Sequence, residues 1–331
     1  MTHPWAPGSV TGIGSLPGTD PDEAARLVLG ELPGFAHLPE LPARGAGSDL
    51  IGRTAALLID LPVEIVPSGW AITAHAGRDL RRARDFLERD IDALHARADG
   101  YTGALKVQAA GPWTLAAALE LPSGHKAITD HGAVRDIADS LAEGLRAHVA
   151  DLARRVPGAR IVAQVDEPSL PAVLGGRIAT PSGYGTVRAV EPARAEQVLR
   201  SVLSAAPDGA RAVHCCAADV PLALLRSAGA DAISLDAALL QVSHYDALGE
   251  AVDAGTALWL GVLPATGGPG GFDQARDRIR TIWSALGFPA AQLAESVVPT
   301  PACGFAGADP AYLRAALAVL RDVGAWLLQA G

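Results

Sequence analysis

The fold of this chain is decided by a short apolar run that ends in two acids and a proline, Ile161-Val162-Ala163-Gln164-Val165-Asp166-Glu167-Pro168. Apolar residues dominate the first half of the run, which is typical of a strand that is buried on both faces of a parallel sheet. The acids and the proline then predict a loop or a helix start. Similar apolar runs recur along the chain and alternate with longer helical patterns.

Eight such runs predict strands, at residues 9–13, 35–38, 104–110, 160–166, 211–216, 232–236, 257–263 and 296–300. Amphipathic helical patterns lie between them, most clearly at residues 21–32, 78–98, 133–155, 192–205, 221–227, 274–286 and 310–328. No long polar linker interrupts the alternation. Residues 1–331 are therefore predicted to form a single domain.

Strand and helix alternation of this kind predicts an α/β fold, a single (β/α)8 TIM barrel with insertions near residues 61–75 and 175–190. A doubly wound open sheet is the competing interpretation. Its phosphate-binding fingerprint requires a third glycine where Gly12-Ile13-Gly14-Ser15-Leu16-Pro17 has a proline. The barrel is favoured for this reason, and its catalytic residues are expected at the carboxyl ends of the strands.

Composition and charge exclude several functional classes. The chain has 36 acidic and 27 basic residues and a net charge of −9, and no basic cluster offsets this locally, which predicts no nucleic-acid partner and no membrane partner. The first residues lack the basic start and apolar run of a secretory signal, so a cytoplasmic location is expected. Three cysteines are too few for a disulfide framework, so their use lies in reactivity, metal binding or packing.

Three potential metal ligands fall at predicted strand ends. His214 and Cys216 close one strand, and Cys303 follows the last one. Alternate residues of a strand share a face, so His214 and Cys216 point to one place while Cys215 points away. An imidazole and two thiolates suit Zn²⁺ and leave a fourth position open. The alternative interpretation is that the cysteines are small buried hydrophobic residues.

Two further predicted strands end in acids. Asp236 ends the sixth strand, where it would supply a fourth zinc ligand. Asp166 ends the fourth strand at the expected barrel mouth and is a candidate for substrate binding. Glu167 is expected instead to serve the N-terminus of the helix that Pro168 starts.

In this order, the motifs resemble the cobalamin-independent methionine synthase family, specifically its C-terminal catalytic barrel. The segments that carry the resemblance are TGIGSLP at residues 11–17, GPWT at 111–114, QVDEPSL at 164–170, the His-x-Cys at 214–216 and PTPACGF at 299–305. The resemblance spans nearly the whole chain and is that of a short, core-type member. It implies the barrel fold that the strand pattern also predicts.

The resemblance implies a Zn²⁺ cofactor held by His214, Cys216 and Cys303, with Asp236 at the position where the family usually has Glu. Asp236 keeps the carboxylate of that fourth ligand but is one methylene shorter.

The resemblance also implies an amino-acid binding site. Ile13, Gly14 and Ser15 would hold the carboxylate of a homocysteine-like substrate, and Asp166 and Glu40 would bind its ammonium.

The implied function is that of a zinc-dependent S-methyltransferase of methionine biosynthesis, which methylates the thiol of homocysteine or a similar thiol. Its partners would be this small thiol substrate and a methyl donor, either methylfolate or a methylated corrinoid protein. Ala118 stands where long members place an aromatic residue on the pterin, and Ala172 stands in place of an acid, so a polyglutamylated folate is expected to be a poor donor.

Three alternatives remain open at this level. One is zinc-dependent alkyl transfer to another thiol, and the second is a zinc-binding barrel without catalytic activity. The third is a lyase similar to uroporphyrinogen decarboxylase, which would need Arg at the barrel mouth and no metal.

Overall fold

Parallel strands and helices alternate along the chain in the computed structural model, which describes residues 3–268 and 270–330. The strands are β1 (Phe35–His37), β2 (Val63–Val66), β3 (Gly69–Ile72), β4 (Ala104–Ala110), β5 (Arg160–Asp166), β6 (Arg211–Cys215), β7 (Ala232–Asp236), β8 (Ala257–Leu263) and β9 (Val297–Pro301). The α-helices are α1 (Pro21–Glu31), α2 (Leu50–Ala55), α3 (Arg78–His95), α4 (Pro112–Ala118), α5 (His131–Arg155), α6 (Leu170–Leu174), α7 (Pro192–Leu203), α8 (Leu222–Ser227), α9 (Tyr245–Asp253), α10 (Phe272–Leu286), α11 (Leu293–Ser296) and α12 (Pro310–Leu327).

One parallel sheet organises the molecule. Its seven strands follow the order β1-β4-β5-β6-β7-β8-β9, and every neighbouring pair is parallel. Phe35 of the first edge strand and Val298 of the last belong to the same buried cluster, which shows that the sheet is curled. The predicted α/β class and the alternating order are therefore confirmed.

The prediction of a regular strand at residues 9–13 was wrong. Residues 9–16 still contact the two sides of the sheet: the Thr11 N–H donates to the Pro299 carbonyl of β9 over 3.4 Å, and the Leu16 N–H donates over 2.9 Å to the carbonyl of Glu40, which follows β1. The Ile13 carbonyl, however, accepts hydrogen bonds from side chains instead of from a neighbouring strand. Within the described residues, the ladder therefore has seven strands, not eight.

Both predicted insertions are present as local structures. The first forms an antiparallel hairpin of β2 and β3, with Val63 opposite Ile72. The second, after α6, contains an isolated bridge between Ala179 and Thr186. The short helices α2, α4, α6, α9 and α11 were not predicted, because a helix of four to nine residues is too short to show a clear hydrophobic period. None of the helices within the described residues is long and apolar enough to span a membrane.

An aromatic cluster fills the interior of the curled sheet at the amino ends of its strands. The rings of Trp5 and Phe35 stack with centroids 5.3 Å apart, and Trp259 meets Trp5 edge-on at the same distance. The neighbouring strands provide room for these rings with small buried residues, Ala104, Ala212, Ala232 and Ala257. The sheet is thus closed from inside by large side chains from the N-terminal segment, β1 and β8.

This packing predicts that Trp5→Ala lowers the free energy of unfolding by about 3–5 kcal/mol, because it opens a cavity in the middle of the aromatic cluster. Urea denaturation followed by far-ultraviolet circular dichroism measures the change. Val242→Ala is the control, since Val242 is 88% exposed and its loss should cost less than about 0.5 kcal/mol. Equal costs for the two variants would contradict the packing assignment.

Helix α5 contains a buried histidine whose titration links stability to pH. Burial, together with the positive charge of Arg53, lowers the pKa of His148 to about 3. The unfolded chain has the ordinary value of 6.5 and so binds the proton first as pH falls. The stability that this neutral histidine permits is therefore complete above pH 6.5 and is lost as pH falls towards 3.

Between these limits the free energy of unfolding should fall by about 1.4 kcal/mol per pH unit on account of His148. His148→Gln, which does not titrate, should show a correspondingly shallower dependence. Urea denaturation of both proteins between about pH 7.5 and about pH 5 tests this. Identical slopes would show that His148 is not held neutral by the fold.

Candidate metal centre and substrate cavity

Three of the predicted ligands meet at the carboxyl end of the sheet. The ligand atoms of His214, Cys216 and Cys303 all lie within 4.8 Å of one another, and the two Sγ atoms are 3.6 Å apart. His214 belongs to β6, Cys216 directly follows this strand, and Cys303 follows β9. The curl of the sheet brings these two strand ends together. The group is called the ligand cluster below.

The His214 ring is fixed with one nitrogen free. Its Nδ1 lies 3.0 Å from the Ser234 hydroxyl, whereas its Nε2 is buried and has no hydrogen-bond partner. A hydrogen bond to the other ring nitrogen fixes the orientation of a ligating histidine. A buried nitrogen without a partner, beside two thiols, matches the mixed N and S ligand set that Zn²⁺ prefers.

The pKa values of the two thiols in the cluster are shifted in opposite directions. The hydrogen bond from the Cys216 thiol, together with the nearby His214 ring, lowers the pKa of Cys303 to about 4. The same contact and burial raise the pKa of Cys216. Cys215 points to the other face of β6, into the core beneath the helices, where burial raises its pKa to about 12. This arrangement favours the thiolate form of Cys303 and the unreactive thiol form of Cys215.

Asp236 lies apart from the ligand cluster. It ends β7, and its Oδ1 accepts a hydrogen bond from the Ala238 N–H over 2.8 Å, where the chain turns into a short 3₁₀ helix. Its carboxylate is not among the ligand atoms that lie within 4.8 Å of one another. The structure thus brings together three of the four predicted metal ligands.

A cavity of about 250 Å³ opens beside the ligand cluster. The three cluster residues line it, and so do four of the five predicted substrate residues, Ile13, Ser15, Glu40 and Asp166. We call it the substrate cavity. Among the described residues that line it, none is the arginine that the lyase alternative requires.

The turn at residues 13–15 is held between two elements. Glu40 follows β1, and its N–H donates to the Gly14 carbonyl over 3.1 Å. On the other side, the Phe305 N–H donates to the Ser15 carbonyl over 2.7 Å, and a methyl group at Gly304 would overlap with Ser15 Oγ. The turn is therefore packed directly against the segment that carries Cys303.

Three side chains converge on the Ile13 carbonyl. It accepts hydrogen bonds from Lys106 Nζ at 2.6 Å, Gln164 Nε2 at 3.0 Å and Gln108 Nε2 at 3.3 Å. All three donors are buried and belong to β4 and β5. They fix the backbone of the turn from inside the sheet.

Two buried carboxylates face the substrate cavity. Burial raises the pKa of Glu40, against the nearby charge of Arg53, whose Nε lies 3.5 Å from Glu40 Oε1. Burial also raises the pKa of Asp166 well above its ordinary value, and the negative charge of Glu40 adds to this. Such a pair is stabilised by a cation between or beside its members, which is the charge of an amino-acid ammonium.

Glu167 caps a helix, but not the one expected. Its carboxylate accepts hydrogen bonds from the Trp113 N–H at 2.9 Å, the Thr114 N–H at 2.8 Å and Thr114 Oγ1 at 2.7 Å, at the start of α4. A methyl group at Gly111 would overlap with this carboxylate. The segment GPWT is thus explained by the capping of α4 from the neighbouring strand.

Lys106, which is one of only two lysines in the chain, was not predicted to have a function. A signal for it was present: Lys106 and Gln108 are polar residues at alternate positions of the otherwise apolar run ALKVQAA. Alternate positions share one face of a strand, and a charged residue on a buried face calls for buried partners.

Comparison with known proteins identifies the family of the chain and a solved structure with a similar fold. Residues 9–325 match the family described as cobalamin-independent synthase, catalytic domain. No curated protein sequence matches the chain. A B12-independent methionine synthase from Shewanella sp. W3-18-1, solved in complex with selenomethionine, has a similar structure, with a TM-score of 0.64, 15% identity and coverage of 98% of both chains. GH5_18 from Streptomyces cattleya in complex with GlcNAc aligns with a TM-score of 0.48, 16% identity and coverage of 98% of this chain and 82% of that one.

Proposed function

The chain belongs to the cobalamin-independent synthase catalytic-domain family, and on this premise we propose that it is a zinc-dependent methyltransferase that methylates the thiol of homocysteine or a similar thiol. The resemblance to cobalamin-independent methionine synthases is confirmed by this membership. One observation carries the proposal: the ligand cluster opens onto a cavity whose walls also hold two buried carboxylates.

His214, Cys216 and Cys303, which all line the substrate cavity, would hold the Zn²⁺. A free thiol has a pKa of about 8.5, and coordination to Zn²⁺ would supply a thiolate nucleophile at neutral pH. The chain's own part is to fix the His214 ring through Ser234 and to keep two sulfur ligands at the cavity wall.

The amino-acid part of the substrate would be bound on the opposite walls. Asp166 and Glu40 would bind the ammonium, and the turn of Ile13, Gly14 and Ser15 would bind the carboxylate. The selenomethionine complex of the similar synthase supports an amino acid of this size and class. A cavity of about 250 Å³ suits a small molecule of this kind.

The methyl donor would be a small or corrinoid-bound methyl group in preference to a polyglutamylated folate. This part of the proposal depends on Ala118, the last residue of α4, and Ala172 in α6, which replace larger side chains of the long family members. Neither alanine offers an aromatic face or a charge to a pterin.

We also propose that residues 1–331 form one catalytic domain with the topology of a (β/α)8 barrel. In this description residues 9–16 take the position of the first strand between β1 and β9. Their hydrogen bonds to Glu40 and Pro299, at opposite edges of the sheet, support that position.

The metal assignment predicts about one Zn²⁺ per chain, measured by elemental analysis of the purified protein. Cys216→Ser and Cys303→Ser should each lose the metal, because each removes one of three ligands. Cys215→Ser is the matched control and should retain it, since Cys215 faces the outer core. Full zinc occupancy in Cys303→Ser would refute the assignment. Asp236→Asn tests the fourth ligand: metal loss would add Asp236 to the set, and retention would leave three.

The ammonium assignment predicts that Asp166→Asn weakens homocysteine binding by about a hundredfold or more, because it removes one of the two carboxylates that would balance a buried ammonium. Calorimetric titration of zinc-loaded protein measures the affinity, and elemental analysis should still find about one zinc per chain. Unchanged affinity would show that Asp166 has another role. Loss of zinc would place it in the metal site instead.

A further inference from the structure

Lys106 occupies the interior of the curled sheet below the substrate cavity. It belongs to β4 and is completely buried, with 0% of its surface exposed. Its ammonium donates to the Ile13 carbonyl over 2.6 Å and to Gln164 Oε1 over 2.5 Å. The Trp259 ring lies on a further side, with its centroid 5.8 Å from Nζ. Lys106 is not among the residues that line the substrate cavity.

The two hydrogen-bond acceptors of Lys106 lead to different parts of the substrate cavity. Ile13 begins the turn proposed to bind the substrate carboxylate. Gln164 donates through Nε2 to Asp166 Oδ1 over 2.7 Å and to the Ile13 carbonyl over 3.0 Å. One ammonium is thus connected, by one or two hydrogen bonds, to both groups that would bind the two ends of an amino acid.

Packing alone does not explain a lysine at this position. Burying an ammonium is costly unless its donors are satisfied, and an apolar residue of similar volume avoids that cost. Its polar contacts are instead the Ile13 carbonyl and Gln164 Oε1 of β5, and the Trp259 ring of β8 lies beside it. The buried charge therefore has a use at the polar end of the interior, where it balances Asp166 and Glu40.

We propose, building on the proposed function, that Lys106 is a positioning residue for amino-acid recognition. It holds the turn at Ile13 and the Gln164-Asp166 pair in one fixed relation, so that the carboxylate and ammonium of the substrate are bound together. It touches neither the substrate nor the metal. Its effect is thus specific to thiols that carry an α-amino acid group.

The test compares two thiols on zinc-loaded protein. Homocysteine has both charged groups, and 1-propanethiol has the same carbon chain to Cα without either of them. Lys106→Met should weaken homocysteine binding by about tenfold or more and leave propanethiol binding within about twofold, measured by calorimetric titration. A merely structural role would change the two affinities in parallel.

Lys126→Met is the matched control, because it removes the only other lysine of the chain, which pairs with Glu120 at 3.3 Å. It should leave both affinities unchanged. If Lys106→Met does not fold, Gln164→Met provides the second variant. It removes the hydrogen bonds that connect Lys106 to Asp166, while the direct hydrogen bond from Lys106 to the Ile13 carbonyl remains. The same selective loss is expected.

The outcomes separate this inference from the proposed function. Wild-type protein that binds propanethiol as tightly as homocysteine would overturn the proposed substrate and this inference with it. A wild-type preference for homocysteine that persists unchanged in Lys106→Met would overturn the inference alone. Parallel weakening of both thiols, or loss of zinc, would also overturn it, because Lys106 would then support the fold or the metal site in general.

Discussion

The buried ammonium of Lys106 sets the constraint on which the substrate side of this molecule depends. Its side chain is completely buried, so protein groups must accept the hydrogen bonds of this ammonium. The Ile13 carbonyl and Gln164 Oε1 accept these hydrogen bonds. Ile13 is therefore not part of a strand ladder, and a polar side chain lies in the interior of the curled sheet. The irregular first segment and the polar upper interior therefore have one common cause.

The ligand cluster and the proposed amino-acid site are joined through backbone contacts. The Ser15 carbonyl accepts from Phe305, and Ser15 Oγ packs on Gly304, the residue after Cys303. His214 is linked in the same way, because the Glu167 N–H donates to the His214 carbonyl over 2.8 Å, beside Asp166. A displacement of β6 or of the Cys303 segment would therefore also move the proposed amino-acid site, which favours a fixed distance between the ligand cluster and that site.

The parts of the structure that were predictable from the sequence are those governed by local patterns. Alternation in β6 separates Cys215 from His214 and Cys216, and long amphipathic helices such as α5 have a clear period. The errors arise where distant residues decide. Ile13 leaves the ladder because side chains of β4 and β5 take its carbonyl, and Glu167 caps α4 across a strand boundary. Asp236 turns to cap its own 3₁₀ helix, which spacing alone does not reveal.

The aromatic cluster below Lys106 gives the molecule an optical property. The indole rings of Trp5 and Trp259 lie 5.3 Å apart and are inclined at 76°. Aromatic rings held in a fixed chiral arrangement produce a signal in the near-ultraviolet circular dichroism spectrum. That signal depends on fixed tertiary packing and disappears when side chains become mobile. Since the N-terminal segment supplies one chromophore and β8 the other, the contribution of this pair to the spectrum depends on that segment being seated inside the curled sheet.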